Sequence, residues 1–156
     1  MAALGDRITS AIDALRQRGL SVSDRIHKGD TVYTVTGSAF HVIVTVNPTR
    51  WIGLHFGLGK PGEKSPVTYD IDAYLYDLAS PRFDAFAQAI EGDIVAFLNS
   101  LAAGRIRVGK VGRKPALLVP VGKRTVVVTR GRFVRSVRIR RAGASLEAKG
   151  AFTPVS

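Results

Sequence analysis

Arginine and lysine supply the clearest chemistry in this chain, because in its last third they alternate with apolar residues. Arg105 and Arg107 interleave with Ile106 and Val108, Arg138 and Arg140 interleave with Val137 and Ile139, and Arg141 follows. Lys123, Arg124, Arg130 and Arg132 flank the glycines at 122 and 131. A guanidinium is a planar fork of donors that meets phosphate oxygens two at a time. From Leu101 to Ser156, 14 Lys and Arg face a single acid, Glu147, a net of +13, whereas residues 1–100 carry 9 against 11 acids. Like charges this dense repel one another in a compact fold, so an anionic partner or an acidic neighbouring surface is expected. The candidate nucleic-acid contacts are therefore Arg105, Arg107, Lys123, Arg124, Arg130, Arg132, Arg138 and Arg140.

Phe133 is the only aromatic residue between Leu101 and Ala151. A stacking platform for single strands is poorly supported, and phosphate contact with duplex DNA or structured RNA fits better. Two plainer readings compete. The basic face could be merely solvated, with arginine-rich usage (16 Arg, 7 Lys) following genome composition. Alternatively Asp70, Asp72, Asp77, Asp84, Glu91 and Asp93 could meet these cations internally, although six acids do not neutralise fourteen.

A second candidate site is uncharged in character. His41, Ile43, Thr45, Trp51, Gly53, His55 and Gly57 fall on one face of a strand pair, and alternate glycines leave that face flat. His41, Trp51 and His55 form a possible ligand face there; a covering helix anchored on Trp51 is the competing expectation. Asp70-x-Asp72 could seat a divalent cation, but short strings of this kind are common on solvent-facing strands. Gly57-Leu-Gly-Lys-Pro-Gly62 lacks the frame of a phosphate loop, and no histidine has a sequence neighbour that marks it as a general base. No catalytic residue, metal or cofactor is nominated.

These residues need a scaffold. Leu4, Ile8, Ile12 and Leu15 recur at helical spacing over 4–18, with Gly19 as a stop. Residues 31–58 read as three antiparallel strands. Gly37-Ser38 suits a two-residue turn that pairs Val35 with Phe40. For the apolar sets of the second and third strands to share a face, the connection at Asn47-Pro-Thr-Arg50 must hold an odd number of residues. A loop at 47–49 sets His41 opposite His55, and a loop at 48–50 sets Ile43 there instead. Residues 59–66 form a polar connection, and 69–78 fit helix and strand equally. Ser80-Pro81 opens a helix over 81–103 with Phe83, Phe86, Ile90, Ile94, Phe97 and Leu101 as its stripe. Strands at 105–111, 115–121, 124–130 and 133–141 follow, with a bulge expected at Val134-Arg135.

The expected fold is α+β: an N-terminal helix, a three-strand antiparallel meander, a long capped helix and a basic four-strand antiparallel meander. It forms one domain over 1–141, divisible at 103/104, with 142–156 as a loosely held tail. The 156-residue chain has no cysteine, so it holds no disulfide or thiolate site. It lacks an apolar leader or a run long enough to span a membrane, so a cytoplasmic, membrane-free protein is expected. Binding of DNA or RNA is the leading functional expectation. An adaptor, inhibitor or immunity-type protein that docks an acidic protein partner is the alternative. A metal-dependent nuclease using Asp70 and Asp72 is the third.

Overall fold

The computed structural model describes residues 2–73, 76–130, 137–142 and 152–156, the side chains of Val137 and Arg138 excepted. Helix α1 (Asp6–Gln17) buries Ile8, Ala11, Ile12 and Leu15, the stripe its spacing predicts. Five strands then form one antiparallel meander: β1 (Ser21–His27), β2 (Asp30–Thr36), β3 (Phe40–Asn47), β4 (Trp51–Leu58) and β5 (Thr68–Asp72). A 3-10 turn at Pro81–Phe83 leads into α2 (Asp84–Ala102). The second antiparallel sheet holds β6 (Arg107–Val111), β7 (Lys114–Val121), β8 (Arg124–Arg130) and β9 (Val137–Arg141), with β10 (Thr153–Pro154) on the outer side of β6. The protein is an α+β fold.

The first sheet is wider than its three expected strands. Ser21–His27 is polar and exposed along most of its length, so it carries no apolar alternation to announce it. Its signal lies in the turn: Lys28 and Gly29 both take positive φ (52° and 87°), the two-residue form that joins His27 to Asp30. At the next turn the pairing is Val35 with Val42, two residues beyond the expected register. Gly37 belongs to the strand end, its N–H donating to the Phe40 carbonyl at 3.0 Å. A side chain at 37 would collide with the Phe40 ring lying over it, so Ser38-Ala39 make the turn. A shift of two leaves every side chain on its expected face. The β3–β4 loop is Pro48–Arg50, so Ile43 stands opposite His55. Residues 68–72 resolve as strand.

Both helices cover the face of the first sheet that carries Val35, Val42, Val44, Ile52, Leu54 and Phe56, all buried. α2 also touches β7, and the same core takes in Ile106, Leu117, Val119, Val126 and Val128 from the second sheet. A helix held between two sheets is buried around more of its girth than one stripe. Ala87 and Leu98 are accordingly buried beside Ile94, Phe97 and Leu101, and Glu91 is buried where α1 begins against it. Glu91 is 3% exposed, and its Oε1 accepts the Gly5 N–H at 2.8 Å, satisfying one of the unpaired donors where α1 begins. This acid is spent on the fold and lies apart from the basic turns.

Within the segment expected to be a loose tail, residues 152–156 return to the fold. Thr153 and Pro154 pair with Val108 and Arg107, Phe152 is buried, and the Val155 N–H donates to Ile106 O. The Ala39 N–H donates to Ser156 O at 2.7 Å, which ties this segment to the first sheet. The expected bulge at 134–135 lies outside the described residues. No helix among them is long and apolar enough to cross a membrane.

Candidate functional site

The second face of the first sheet carries no helix among the described residues, contrary to the expected cover, because both helices are engaged on the other side. His41, Trp51 and His55 all belong to it but have different surroundings. His41 is 3% exposed, and its Nδ1 lies 2.9 Å from Gly59 O. The absent side chain of Gly57 leaves room for the His41 ring beside Ser65. His55 stands next to it, with ring centroids 5.8 Å apart, and is partly exposed. The Trp51 indole crosses over Gly53, where a Cβ would come within 2.8 Å of its Nε1.

β5 brings the acids to this face. Its register sets Asp70 opposite His55 and Asp72 opposite Gly53. His55 Nδ1 lies 2.6 Å from Asp70 Oδ1, and Trp51 Nε1 donates to Asp72 Oδ1 at 3.0 Å. Together with Ile43 and Thr45 these groups line a depression of about 130 Å³. The His55–Asp70 pair was hidden in the sequence because 69–78 fitted helix and strand alike; only the strand assignment sets the two residues side by side. Among the described residues, no group of three His, Asp or Glu gathers at metal-binding distances.

The hydrogen bond to Asp70 raises the His55 pKa above its ordinary 6.5, burial opposes the rise, and the Asp70 charge adds to it. A raised folded-state pKa gives stability that is full below the unfolded value and is lost as pH rises through the folded one. The two side chains are 41% and 53% exposed, so the pair is worth less than about 1 kcal/mol. Asp70→Asn is expected to lower the His55 pKa and flatten the loss of stability as pH rises above the ordinary value of 6.5. Following the His55 ring protons by NMR checks this; an unchanged midpoint would show that Asp70 does not hold the imidazolium.

The basic residues occupy the second sheet as follows. In the row Arg107, Leu118, Val127, Arg140 the ends are basic and the middle is apolar. Leu118 and Val127 are buried with Ala116, Ala142 and Phe152 in a second apolar cluster. The outward face is therefore not uniformly cationic: its centre is closed and its cations lie at edges and turns. Lys123 and Arg124 are exposed at the β7–β8 turn, whose first residue, Gly122, has φ of 60°. Arg140 and Arg141, also exposed, pair with Val127 and Val126 close to that turn. Exposed Arg105 and half-buried Arg107 enter β6 at the same end. Lys110, Arg113 and Lys114 are exposed at the opposite end, towards which half-buried Arg130 also lies. Arg132 lies outside the described residues, and Arg138 is described in backbone only, paired with Thr129.

Arg105, Lys110, Arg113, Lys114, Lys123, Arg124, Arg140 and Arg141 form no ion pair among the described residues. The acids of 70–93 are occupied elsewhere in part: Asp70 with His55, Glu91 with Gly5 and Asp77 with the Ala79 N–H. Sequence reasoning passed over Lys110, Arg113, Lys114 and Arg141, which the hairpin register could have placed beside the chosen residues.

Fold and surface together define an α+β protein with a basic sheet end and a separate small pocket. No family model, no curated protein and no solved structure matches the chain.

Proposed function

We propose that the protein binds nucleic acid through its phosphates, using the end of the second sheet that carries Arg105, Arg107, Lys123, Arg124, Arg140 and Arg141. The observation that supports this most is the gathering there of exposed cations with no ion pair to Arg105, Lys123, Arg124, Arg140 or Arg141 among the described residues. Cations carried on paired strands and one short turn are held apart by the backbone, so a polyanion meets a cationic surface without first ordering a disordered tail. Among the described residues the apolar centre of the sheet offers no exposed aromatic for stacking, which favours backbone contact over base reading. A cytoplasmic location agrees with such a ligand.

The test is a salt titration of binding to duplex DNA and to structured RNA. With about 5–7 phosphate contacts the log–log slope is expected near −4 to −6. Nanomolar affinity that does not change with salt would contradict phosphate contact, and no binding at low salt would end the reading. Co-purification of one acidic protein that survives nuclease treatment would redirect the same cations to a protein partner.

A further inference from the structure

We propose that the outer edge of β1 docks a second copy of this chain, the two strands pairing antiparallel about a two-fold axis at Asp24. This surface lies on the first sheet and is independent of the phosphate-binding reading.

β1 ends the first sheet, and among the described residues no strand pairs with its outer side. The opposite end of that sheet, β5, touches β8. β1 keeps an unbroken register over its whole length, without proline or bulge, and such an edge is a template for a further strand. The two-residue turn at Lys28-Gly29 makes His27 and Asp30 the hydrogen-bonded pair that closes the hairpin. Alternation then turns the N–H and C=O groups of Val22, Asp24 and Ile26 away from β2, towards the open side. These positions are symmetric about Asp24. A second β1 centred there sets Asp24 against its own copy and Val22 against the copy's Ile26 at both ends, with about six main-chain hydrogen bonds. A register moved along the strand leaves Val22 or Ile26 unmatched.

The side chains agree with that register. Val22, Asp24 and Ile26 lie on the helix side of the sheet, opposite Val35, Tyr33 and Thr31. Val22 packs on the core, whereas Ile26 is 80% exposed, and in the pair the copy's Val22 covers it. Arg16 reaches Asp24 at 2.6 Å and Asp13 at 2.7 Å, so the two Asp24 carboxylates meet with a guanidinium on each. On the other face Arg25 stands across from the copy's Ser23 hydroxyl. The strand carries one acid and one base in a chain of net charge +11. Two copies therefore meet here without the repulsion that opposes contact between their basic sheets, and a polyanion meets no net charge. The match at both ends of the axis favours the chain's own strand over an unrelated peptide.

A contact of this size belongs to the weak class of interfaces, so dilute protein is monomeric and pairing appears at high micromolar concentration. Sedimentation of the nuclease-treated full-length protein at physiological salt should show a reversible monomer–dimer equilibrium. Ile26→Pro removes only an outward donor and fills the space the copy needs, so it should keep the chain monomeric across the dilution series. Ile26→Lys, which leaves the backbone intact, should weaken pairing several-fold. Far-UV circular dichroism and the unfolding midpoint confirm that each variant is folded. The chain has no cysteine, so single thiols read the register. Hydrogen-bonded partners have Cα atoms about 5.5 Å apart, within reach of a disulfide, whereas diagonal neighbours lie about 7–8 Å apart, at or beyond its limit. Under mild oxidation Asp24→Cys should form a covalent dimer several-fold faster than Ser23→Cys or Arg25→Cys. A chain that stays monomeric at high micromolar concentration, even one whose edge takes up a foreign peptide, would overturn the proposal. So would a dimer that survives in folded Ile26→Pro, or equal cross-linking at the three positions.

Discussion

Phe97→Ala is expected to destabilise the protein by about 3–5 kcal/mol, the range for an aromatic side chain removed from a closed core. Phe97 is 2% exposed on α2 and meets Phe56 edge-on at 5.6 Å and Tyr69 in a stack at 5.5 Å. It thus joins the helix to β4 and β5 at once, and neither strand can slide inward to fill the gap without breaking ladder pairing to its neighbour. Domains of this size hold only about 5–15 kcal/mol in total, so the variant should melt at a markedly lower denaturant concentration, or express as unfolded chain. Ile26→Ala is the contrast: that side chain is 80% exposed on β1, and its loss should move stability by no more than about 0.5 kcal/mol. Urea unfolding of the two variants beside the parent decides the matter. Equal midpoints would mean that Phe97 is not at the junction.

The second large effect concerns binding. Replacing Lys123, Arg124, Arg140 and Arg141 together by glutamine is expected to reduce the salt slope by about 3.6, some 0.9 for each lost phosphate contact. Over a fourfold rise in salt, a slope between −4 and −6 weakens binding roughly 300- to 4,000-fold, whereas the variant should show a far smaller loss. The four side chains are exposed and outside the ion pairs of the described fold, so their removal should leave the unfolding midpoint nearly unchanged. Changing Arg124, Arg140 and Arg141 to lysine separates charge from geometry. The slope should persist while affinity falls, because a point charge replaces a bidentate fork. A slope untouched by the glutamine variant would move the binding surface away from this end of the sheet.

Strong periodicity was legible before the fold was known. The α1 stripe, the paired faces of β3 and β4 and the turns at Gly112 and Gly122 follow from spacing alone. What was hidden has specific causes. β1 has only Val22 and Ile26 as apolar residues, the second of them exposed, and is made by its turn and its partner rather than by its own alternation. The covering of His41 depends on the 59–66 connection folding over Gly57, which no local pattern specifies. Glu91 counts as a surface acid in any charge tally, yet it is buried because α1 begins against it. The cations were legible as a list; their division between two ends of a sheet with a closed apolar centre follows from Ala116, Leu118 and Val127, whose second face is buried too. The His55–Asp70 pair needed one ambiguous stretch to become a strand.

The hydrogen bonds that join residues 38 and 39 to residue 156 also set a timetable. Ser38 and Ser156 meet across 118 positions of chain, while every turn of the first meander closes among near neighbours. At about 5–20 residues per second, a ribosome takes roughly 6–24 s to travel that distance, far longer than local strands need to pair. The first sheet should therefore be assembled and waiting, with the turn at Ser38-Ala39 still open, when the partner segment is made. Clasping the two sheets is then a late event in the life of each new molecule, and the step most sensitive to whatever else competes for that turn in the interval.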